Sequence, residues 1–371
     1  MTPPPHDPPR HARPLPYGVV RVRVRGGGPR PALRDGDHAL LLAELALPPD
    51  PDLAHAARAP ELNALIELGP PAWAAVQQAA ADPPPAARVP LGDCEPVRPV
   101  RVSDFVDFYA SLEHAANLGA IFRPGTPPVR DNWRHMPIGY HGRASTIVVS
   151  GTDVRRPSGQ TALGALAPTG QLDLECELGY VCGPSAAGPI AIDRAEEHIF
   201  GVVLVNDWSA RDVQRLEYEP LGPFLGKSFA TSMSAWITPL AALAGARTPP
   251  PPQDPPPAPY LIAQRPWLLD VELAIELNGE VVSRPRANRL YWTPAQMLAH
   301  LTVNGARLSA GDLVATGTIS GADPGTEGSL AERYGGERWL ADGDAVVLRG
   351  RAGDVELDPV RGRIVAASAP G

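Results

Sequence analysis

The stretch Ile199-Phe-Gly-Val-Val-Leu-Val-Asn-Asp-Trp-Ser-Ala-Arg-Asp-Val-Gln214 carries the clearest structural signal in the chain. Its first half is continuously apolar and predicts a buried strand, and its second half predicts a helix. Asp207 falls at the carboxyl end of the strand, where α/β-type connections place active-site groups. Arg211, Gln214 and Tyr218 follow at helical spacing, so we expect them to share a face with Asp207. The simpler alternative is that Asp207 only caps the helix.

Further elements follow from periodicity outside this stretch. Apolar residues alternating at a period of two predict strands, and apolar residues at helical spacing predict helices. The predicted strands are residues 19–24, 146–149, 172–181, 199–205, 269–277, 313–318 and 345–348. The predicted helices are residues 62–81 with a break at Pro70, 105–118, 208–216 and 293–301, and residues 39–47 fit either type. Asn278-Gly279 predicts a hairpin turn.

Composition excludes several classes of protein. The 371 residues correspond to roughly two domains of ~150 residues. With a net charge of −8, the chain lacks the basic character expected of a protein that binds nucleic acids or anionic membranes. The three cysteines form no CxxC pair, so we expect no disulfide scaffold and a cytoplasmic location. No apolar run reaches transmembrane length, and residues 1–16 have no apolar core, so we expect neither a membrane-spanning helix nor a signal peptide.

Proline-rich segments suggest the domain organisation. Residues 1–16 read as a disordered tail, and the proline-rich stretch 82–99 suggests a boundary between an N-terminal domain (17–99) and a catalytic domain (100–371). Residues 248–259 have proline at eight of twelve positions, which predicts a surface excursion without regular structure.

Three acidic residues alternate along one predicted strand. Asp173, Glu175 and Glu177 would share a face, where their charges repel unless solvent or a cation screens them. A solvent-exposed edge strand is one interpretation, and a divalent-metal site is the other. Hard carboxylate oxygens favour Mg²⁺ or Ca²⁺, and no His or Cys cluster has the spacing of a zinc site.

Lys227 is the only lysine in a chain that otherwise uses arginine. Because an ammonium is a compact point charge and a guanidinium is a wide planar fork, a tight charged pocket could require the smaller head group. Chance retention of one lysine is the alternative. The surrounding Gly222–Ser228 segment has the wrong glycine spacing for a P-loop.

Two further segments carry polar groups suited to catalysis. His114 follows Asp107 by seven residues, which would bring both to one face of the predicted helix and make His114 a candidate general base. An ordinary surface histidine is the alternative. The turn at residues 315–321 is rich in Gly and Thr, and its amides and hydroxyls could approach an anion.

These segments together resemble the fumarylacetoacetase family, in the same order and at the same spacings. The matching motifs are Asp107-Phe-Tyr with His114, Gly139-Tyr-His-Gly-Arg-Ala-Ser, Arg155-Arg-Pro, Leu172-Asp-Leu-Glu-Cys-Glu, Glu197-His-Ile-Phe-Gly, Asn206-Asp-Trp-Ser-Ala-Arg-Asp, Pro220-Leu-Gly-Pro-Phe-Leu-Gly-Lys-Ser-Phe and Gly317-Thr-Ile-Ser-Gly. The match covers nearly all of residues 100–371 and is weaker before them.

The resemblance implies a role for each site residue. The implied metal ligands and near neighbours are Asp107, Glu175, Glu177, Asp207, Lys227 and Thr231. His114 is implied as the general base, oriented by Glu332, which nothing local marks. Arg211, Gln214 and Lys227 are implied to stabilise developing negative charge. The implied substrate contacts are Tyr109, Arg123, Tyr140, Gln214, Tyr218 and Thr318.

The resemblance also implies a fold and an activity. We expect a mainly β (α+β) chain, with a small SH3-like N-terminal β-barrel followed by a mixed β-sandwich roll that works as a homodimer. The expected reaction is Mg²⁺- or Ca²⁺-dependent hydrolysis of the carbon–carbon bond of fumarylacetoacetate in tyrosine and phenylalanine catabolism. Acylpyruvate hydrolysis, 2-oxoacid decarboxylation and a non-enzymatic metal-binding module are the alternatives.

Overall fold

The computed structural model of the protein describes residues 13–23 and 27–368. The strands are β1 Tyr17–Val22, β2 Arg30–Asp35, β3 His38–Leu41, β4 Arg88–Pro90, β5 Cys94–Val97, β6 Phe105–Phe108, β7 Gly139–His141, β8 Ile147–Val149, β9 Val154–Arg155, β10 Ser158–Ala162, β11 Ala165–Pro168, β12 Leu172–Asp173, β13 Cys176–Cys182, β14 Ile199–Asp207, β15 Ser209–Ala210, β16 Thr231–Met233, β17 Trp236–Pro239, β18 Arg247–Thr248, β19 Leu268–Leu269, β20 Glu272–Leu277, β21 Glu280–Ser283, β22 Leu313–Ala315, β23 Ala345–Ala352 and β24 Val355–Val365. The helices are α1 Pro51–Ala56, α2 Asn63–Glu67, α3 Pro70–Ala79, α4 Leu112–Phe122, α5 Arg211–Glu217, α6 Pro294–Thr302 and α7 Leu330–Arg333.

The largest sheet has 13 strands and runs through the middle of the molecule. Its path is β4-β3-β2-β1-β17-β14-β13-β22-β6-β7, with β5, β8 and β16 paired along its sides. Most neighbours are antiparallel, but β22 pairs with β6, and β16 with β8, in parallel. The expectation of a mainly β fold with mixed sheets is confirmed.

A second, five-stranded sheet, β21-β20-β23-β24-β9, covers one face of the first. The two sheets approach closely where glycines of the second meet large side chains in β14 and directly after it. A Cβ at Gly362 would lie 2.6 Å from Trp208, and one at Gly350 would lie 2.9 Å from Leu204. Only glycine lets the two layers come this near. The apolar side chains between the two sheets form a buried core.

The N-terminal strands belong to the large sheet. β1 pairs with β2 at residues 17–20, with β5 at residues 19–22 and with β17 at residues 17–18. Within residues 13–23 and 27–368 the strands form no closed barrel, so the SH3-like barrel is not confirmed. The division at residues 17–99 and 100–371 stays a prediction, and most of the predicted tail lies outside the described residues. No helix in the described ranges is both long and apolar enough to cross a membrane.

Several predicted elements are confirmed in type and position. Asn278 and Gly279 both have positive φ in the hairpin between β20 and β21. Thr293 caps α6 in a capping box with Gln296. The predicted break at Pro70 separates α2 from α3, and residues 249–258 form neither helix nor strand.

The predicted helix at residues 105–118 is wrong in its first half. Phe105–Phe108 is strand β6, paired with β22 on one side and β7 on the other. Both faces of this central strand are buried, so its apolar residues fit a buried strand as well as a helix. Helix α4 begins only after Ser111, whose hydroxyl accepts a hydrogen bond from the His114 amide.

Two other predicted boundaries also shift. The helix predicted at 208–216 begins at Arg211, because Ser209–Ala210 pairs with Leu172–Asp173 as a short ribbon. The strand predicted at 172–181 divides into β12 and β13 around Glu175. Asp207 therefore ends β14 and does not share a helix face with Arg211 and Gln214.

Candidate active site

A cavity of about 330 Å³ opens between β6, β7, α4, α5 and the segment after α5. The predicted site residues that line it are Asp107, Tyr109, His114, Arg123, Tyr140, Glu175, Gln214, Tyr218, Lys227 and Thr318. The remaining predicted residues, Glu177, Asp207, Arg211, Thr231 and Glu332, do not line it but contact one another or residues that do. The structure thus brings together groups that are far apart in sequence.

His114 and Glu332 form a buried pair beside the cavity. The histidine Nδ1 lies 2.7 Å from Glu332 Oε2, and their side chains are 4% and 0% exposed. Because an ionised carboxylate only accepts hydrogen bonds, Nδ1–H donates to Glu332, and in the neutral ring the lone pair then lies on Nε2. A neutral imidazole fixed in this tautomer has the arrangement of a general base.

Glu332 is held by three donors besides the histidine. Ser329 and Ser320 donate hydroxyl hydrogen bonds of 2.7 and 3.0 Å to Oε2, and Asn117 donates a 3.0 Å hydrogen bond to Oε1. Burial alone would raise the pKa of Glu332, but the neighbouring His114 and these donors lower it below its usual value. Sequence analysis missed Ser329, although Ser329 and Glu332 have the spacing of a helix-capping box.

Asp107, Glu177 and Asp207 meet below the cavity. Each offers an oxygen within 4.8 Å of the others, and all three residues are buried. Burial and repulsion by Asp207 raise the pKa of Asp107 to about 6. Burial and repulsion by Asp107 and Asp207 raise the pKa of Glu177 well above its usual value. The solvent-exposed alternative for the acidic strand is therefore wrong.

These carboxylates have unused ligand atoms. No donor among the described residues hydrogen-bonds to Asp107 Oδ1 or to either oxygen of Glu177. A buried anion without partners is strongly unfavourable, and a bound cation removes that cost. Three free oxygens of hard ligands in one buried cluster fit Mg²⁺ or Ca²⁺.

Glu175 differs from Glu177, two residues away, in being paired with two cations. It forms ion pairs with Lys227 Nζ and, at 2.7 Å, with Arg211 Nη1. Burial would raise the pKa of Glu175, but Lys227 and Arg211 lower it. Arg211 also pairs with Asp173 at 2.8 Å and donates to Gln214 Oε1 at 3.1 Å.

Lys227 lies in a tight, charged site, as its retention in the sequence suggested. Its side chain is 3% exposed and its ammonium bridges Glu175 and Asp207, with 2.6 Å to Asp207 Oδ2. Burial would lower the pKa of Lys227, but Asp207 and Glu175 raise it, so the lysine stays charged. Thr231 donates a 2.8 Å hydrogen bond to Asp207 Oδ1 from strand β16.

The outer part of the cavity carries aromatic and hydroxyl groups. Tyr109 and Tyr218 line it together with Arg123, and the Thr318 hydroxyl has no hydrogen-bond partner among the described residues. Gly317 beside it has a φ of 72°, and a Cβ there would lie 2.1 Å from the Phe108 carbonyl oxygen. Glycine is needed for Thr318 to reach the cavity.

Arg143 is the one buried cation of the acid cluster that sequence analysis did not single out. Its guanidinium binds Asp207 Oδ1 at 2.6 Å and Asp107 Oδ2 at 3.0 Å. The signal was present, because Arg143 ends the Gly139-Tyr-His-Gly-Arg motif. The predicted substrate contact Tyr140 also donates its hydroxyl to Asp107 Oδ2 at 2.7 Å.

A family model described as fumarylacetoacetate (FAA) hydrolase, C-terminal, matches residues 104–360, which contain every residue of this cavity named above. The chain belongs to the fumarylacetoacetate hydrolase family. Among its relatives, the fumarylacetoacetase of Rattus norvegicus is 39% identical over 96% of both chains. The fumarylacetoacetase of Homo sapiens is 39% identical over 91% of this chain and 90% of its own.

Solved structures of the fumarylacetoacetate hydrolase type share the fold. A fumarylacetoacetate hydrolase from psychrophilic Exiguobacterium antarcticum has a TM-score of 0.61 at 19% identity, covering 95% of this chain and 99% of that one. A 5-carboxymethyl-2-hydroxymuconate delta-isomerase from Mycobacterium smegmatis has a TM-score of 0.56 at 19% identity, covering 95% and 100%. At this identity the similarity speaks for the architecture alone.

Proposed function

We propose that this family member hydrolyses the carbon–carbon bond of fumarylacetoacetate, giving fumarate and acetoacetate. One observation carries the proposal: a single cavity combines a buried His–Glu pair with a buried acid cluster that has free oxygens. Relatives of 39% identity that bear the name fumarylacetoacetase match nearly the whole chain. The reaction would close tyrosine and phenylalanine breakdown.

The proposed metal ligands are Asp107, Glu175, Glu177 and Asp207. The free oxygens of Asp107 and Glu177 support this set, and Glu175 would exchange part of its contact with Lys227 for the cation. Lys227 and Thr231 would stay close to the cation, because both hydrogen-bond to its ligand Asp207. Bound Mg²⁺ or Ca²⁺ supplies a Lewis acid that polarises the substrate's dicarbonyl oxygens.

His114 is the proposed general base. Nε2 takes one proton from a water molecule while Glu332 holds Nδ1–H and stabilises the imidazolium that forms. The resulting hydroxide adds to the substrate carbonyl next to the fumaryl carbons. The carbon–carbon bond then breaks and its electron pair passes to the acetoacetate enolate. The enolate carbon takes up the proton that His114 received from water, which restores the neutral imidazole.

Cationic and amide groups at the cavity would stabilise the developing negative charge. Lys227 and Gln214 line the cavity directly, and Arg211 lies behind them in contact with Gln214 and Glu175. Preformed donors of this kind lower a barrier by about 2.7–4 kcal/mol each in enzymes where one has been removed. Arg211 would act mainly by orienting the other two.

The proposed substrate contacts are Tyr109, Arg123, Tyr140, Gln214, Tyr218 and Thr318. Arg123 provides a positive charge for a substrate carboxylate, and the free Thr318 hydroxyl provides a donor. We further propose that the protein works as a homodimer in the cytoplasm.

Turnover of fumarylacetoacetate by the purified protein tests the proposal. The protein is stripped with a chelator, reloaded with Mg²⁺ or Ca²⁺, and the products are identified. We expect fumarate and acetoacetate to appear only with metal and to disappear in His114→Ala. Folded, metal-loaded protein without turnover would overturn the proposal and direct the search to acylpyruvates and 2-oxoacids.

A further inference from the structure

Arg143 has contacts that no substrate-binding role explains. Its two terminal nitrogens bind oxygens of different acids, Nη1 to Asp207 Oδ1 at 2.6 Å and Nη2 to Asp107 Oδ2 at 3.0 Å. The guanidinium therefore bridges two members of the acid cluster. Arg143 does not line the cavity.

The guanidinium is fixed by its surroundings. It lies over the rings of Phe105 and Tyr140, at 4.8 and 4.9 Å from their centroids, and the side chain is 5% exposed. Nη2 also donates to the Tyr140 hydroxyl, which itself donates to Asp107. The backbone is held in a left-handed turn (φ 66°), with the Arg143 carbonyl accepting from the amide and hydroxyl of Thr146. If the guanidinium left the acids, it would also lose its contacts with both rings and with the Tyr140 hydroxyl.

The pattern of occupied and free oxygens follows from this placement. Arg143 and Tyr140 both occupy Oδ2 of Asp107, and Oδ1 is left without a donor. On Asp207, Arg143 and Lys227 occupy different oxygens, which fixes the plane of that carboxylate. Arg143 therefore fixes the orientation of both carboxylates, in the way that hydrogen-bond partners beyond the ligands orient the ligands of a metal.

We propose that Arg143 is a positioning residue of the metal site, which stays bound to Asp107 and Asp207 while they hold a divalent cation. The inference rests on the metal requirement in the proposed function. It gives Arg143 a role at the metal site and not in substrate binding. Tyr140 connects the two sites, because it contacts Arg143 and Asp107 and also lines the cavity.

The charge of the cluster supports a divalent cation beside a permanent arginine. The buried acids of this region are Asp107, Asp173, Glu175, Glu177 and Asp207, which carry five negative charges when all are ionised. Three cations, Arg143, Lys227 and Arg211, form salt bridges with four of them, and Glu177 has no partner among the described residues. Two negative charges are left, which one divalent cation neutralises. Without Arg143 the same cation would leave a net charge behind.

The test is calorimetric titration of Mg²⁺ and of Ca²⁺ into chelator-stripped protein carrying Arg143→Lys. Lysine keeps the charge but cannot bridge two carboxylates as a planar fork. We expect the metal dissociation constant to rise 10- to 100-fold, the range seen when outer partners of metal ligands are removed. Wild-type affinity in a folded Arg143→Lys variant would overturn the inference.

Two further variants keep the result interpretable. Arg156→Lys is the matched control, because Arg156 is also largely buried but pairs with Asp342 outside the cluster; we expect unchanged metal affinity. If Arg143→Lys does not fold, Tyr140→Phe keeps the aromatic face and removes only the hydroxyl between Arg143 and Asp107. A several-fold weaker affinity supports the inference, and unchanged affinity contradicts it.

The inference and the proposed function fail in different ways. Wild-type protein that binds metal but does not turn over fumarylacetoacetate would refute the function and leave the role of Arg143 standing. Wild-type protein that binds no divalent cation would refute both. Metal-dependent turnover with wild-type metal affinity in Arg143→Lys would refute only the inference.

Discussion

Two carboxylates buried behind the cavity, Glu332 and Glu177, differ in how many hydrogen-bond donors the protein gives them. Glu332 accepts hydrogen bonds from His114, Ser329, Ser320 and Asn117. Glu177 is equally buried, yet neither of its oxygens has a donor among the described residues. The pKa of Glu332 is lowered and that of Glu177 is raised, in line with this contrast.

The carboxylate of the His114–Glu332 pair is hydrogen-bonded within the protein, whereas the acid cluster has oxygens left free for a bound cation. The His114–Glu332 pair needs nothing further to hold one tautomer, so it should keep its structure with or without metal. The acid cluster carries an electrostatic cost until a cation arrives. Variants that affect one region and spare the other therefore test the comparison.

The largest effect is expected at His114. His114→Ala removes the base, and positioned proton transfer contributes about 10²–10⁴-fold, so kcat should fall by that factor. Metal affinity, measured by calorimetry, should stay at the wild-type value. His55→Ala, at an exposed histidine of α1, is the control. Loss of metal binding in His114→Ala would show that the two regions are not independent.

Lys227→Arg should be nearly as damaging. The larger guanidinium cannot replace an ammonium that bridges Glu175 and Asp207 at 3% exposure, so we expect kcat to fall about 10²–10³-fold, as when a charge-stabilising donor is lost. Circular dichroism should show an intact fold. An arginine variant with wild-type turnover would mean that the single lysine is chance.

Glu177→Gln should test the contrast between Glu332 and Glu177 through its effect on thermal stability. The metal-free variant should melt no lower than the metal-free wild type, because a neutral amide replaces a buried carboxylate without donors. Wild-type protein should gain about 2.7 kcal/mol at metal 100-fold above Kd, and the variant should gain nothing. Thermal melts with and without Ca²⁺ measure both. Glu276→Gln, in a surface ion pair with Arg349, should leave the metal effect unchanged.

The smallest effect is expected at Ser329. Ser329→Ala removes the cap of α7 and one donor to Glu332, at a cost of about 0.5–2 kcal/mol. If the loss of this donor raises the activation free energy by about 1 kcal/mol, kcat falls about fivefold. Thr293→Ala removes a comparable cap from α6, away from the cavity, and should lower the melting temperature without lowering kcat. Equal kcat losses in both variants would argue against an orienting role for Ser329.

The sequence predicted which residues lie together at the site better than it predicted the elements that carry them. Strand β14 and its terminal Asp207 were visible because a long apolar run ends at a polar residue. Asp107 was assigned to a helix with His114, because the short apolar run before it fits both periods and its partner strand β22 is remote in sequence. Arg143 was overlooked for the same reason: its significance depends on Asp107 and Asp207, which only the folded sheet brings together.

The parallel pairing of β6 with β22 has a consequence for synthesis of the chain. Asp107 lies opposite Ala315, so the strand that carries the first acid is locked into the sheet only after most of the chain exists. Closing such a long loop is slow, and contacts of this kind form late in folding. On the proposed ligand set, Asp107 is therefore joined to the strand that carries Glu177 only after β22 has been synthesised.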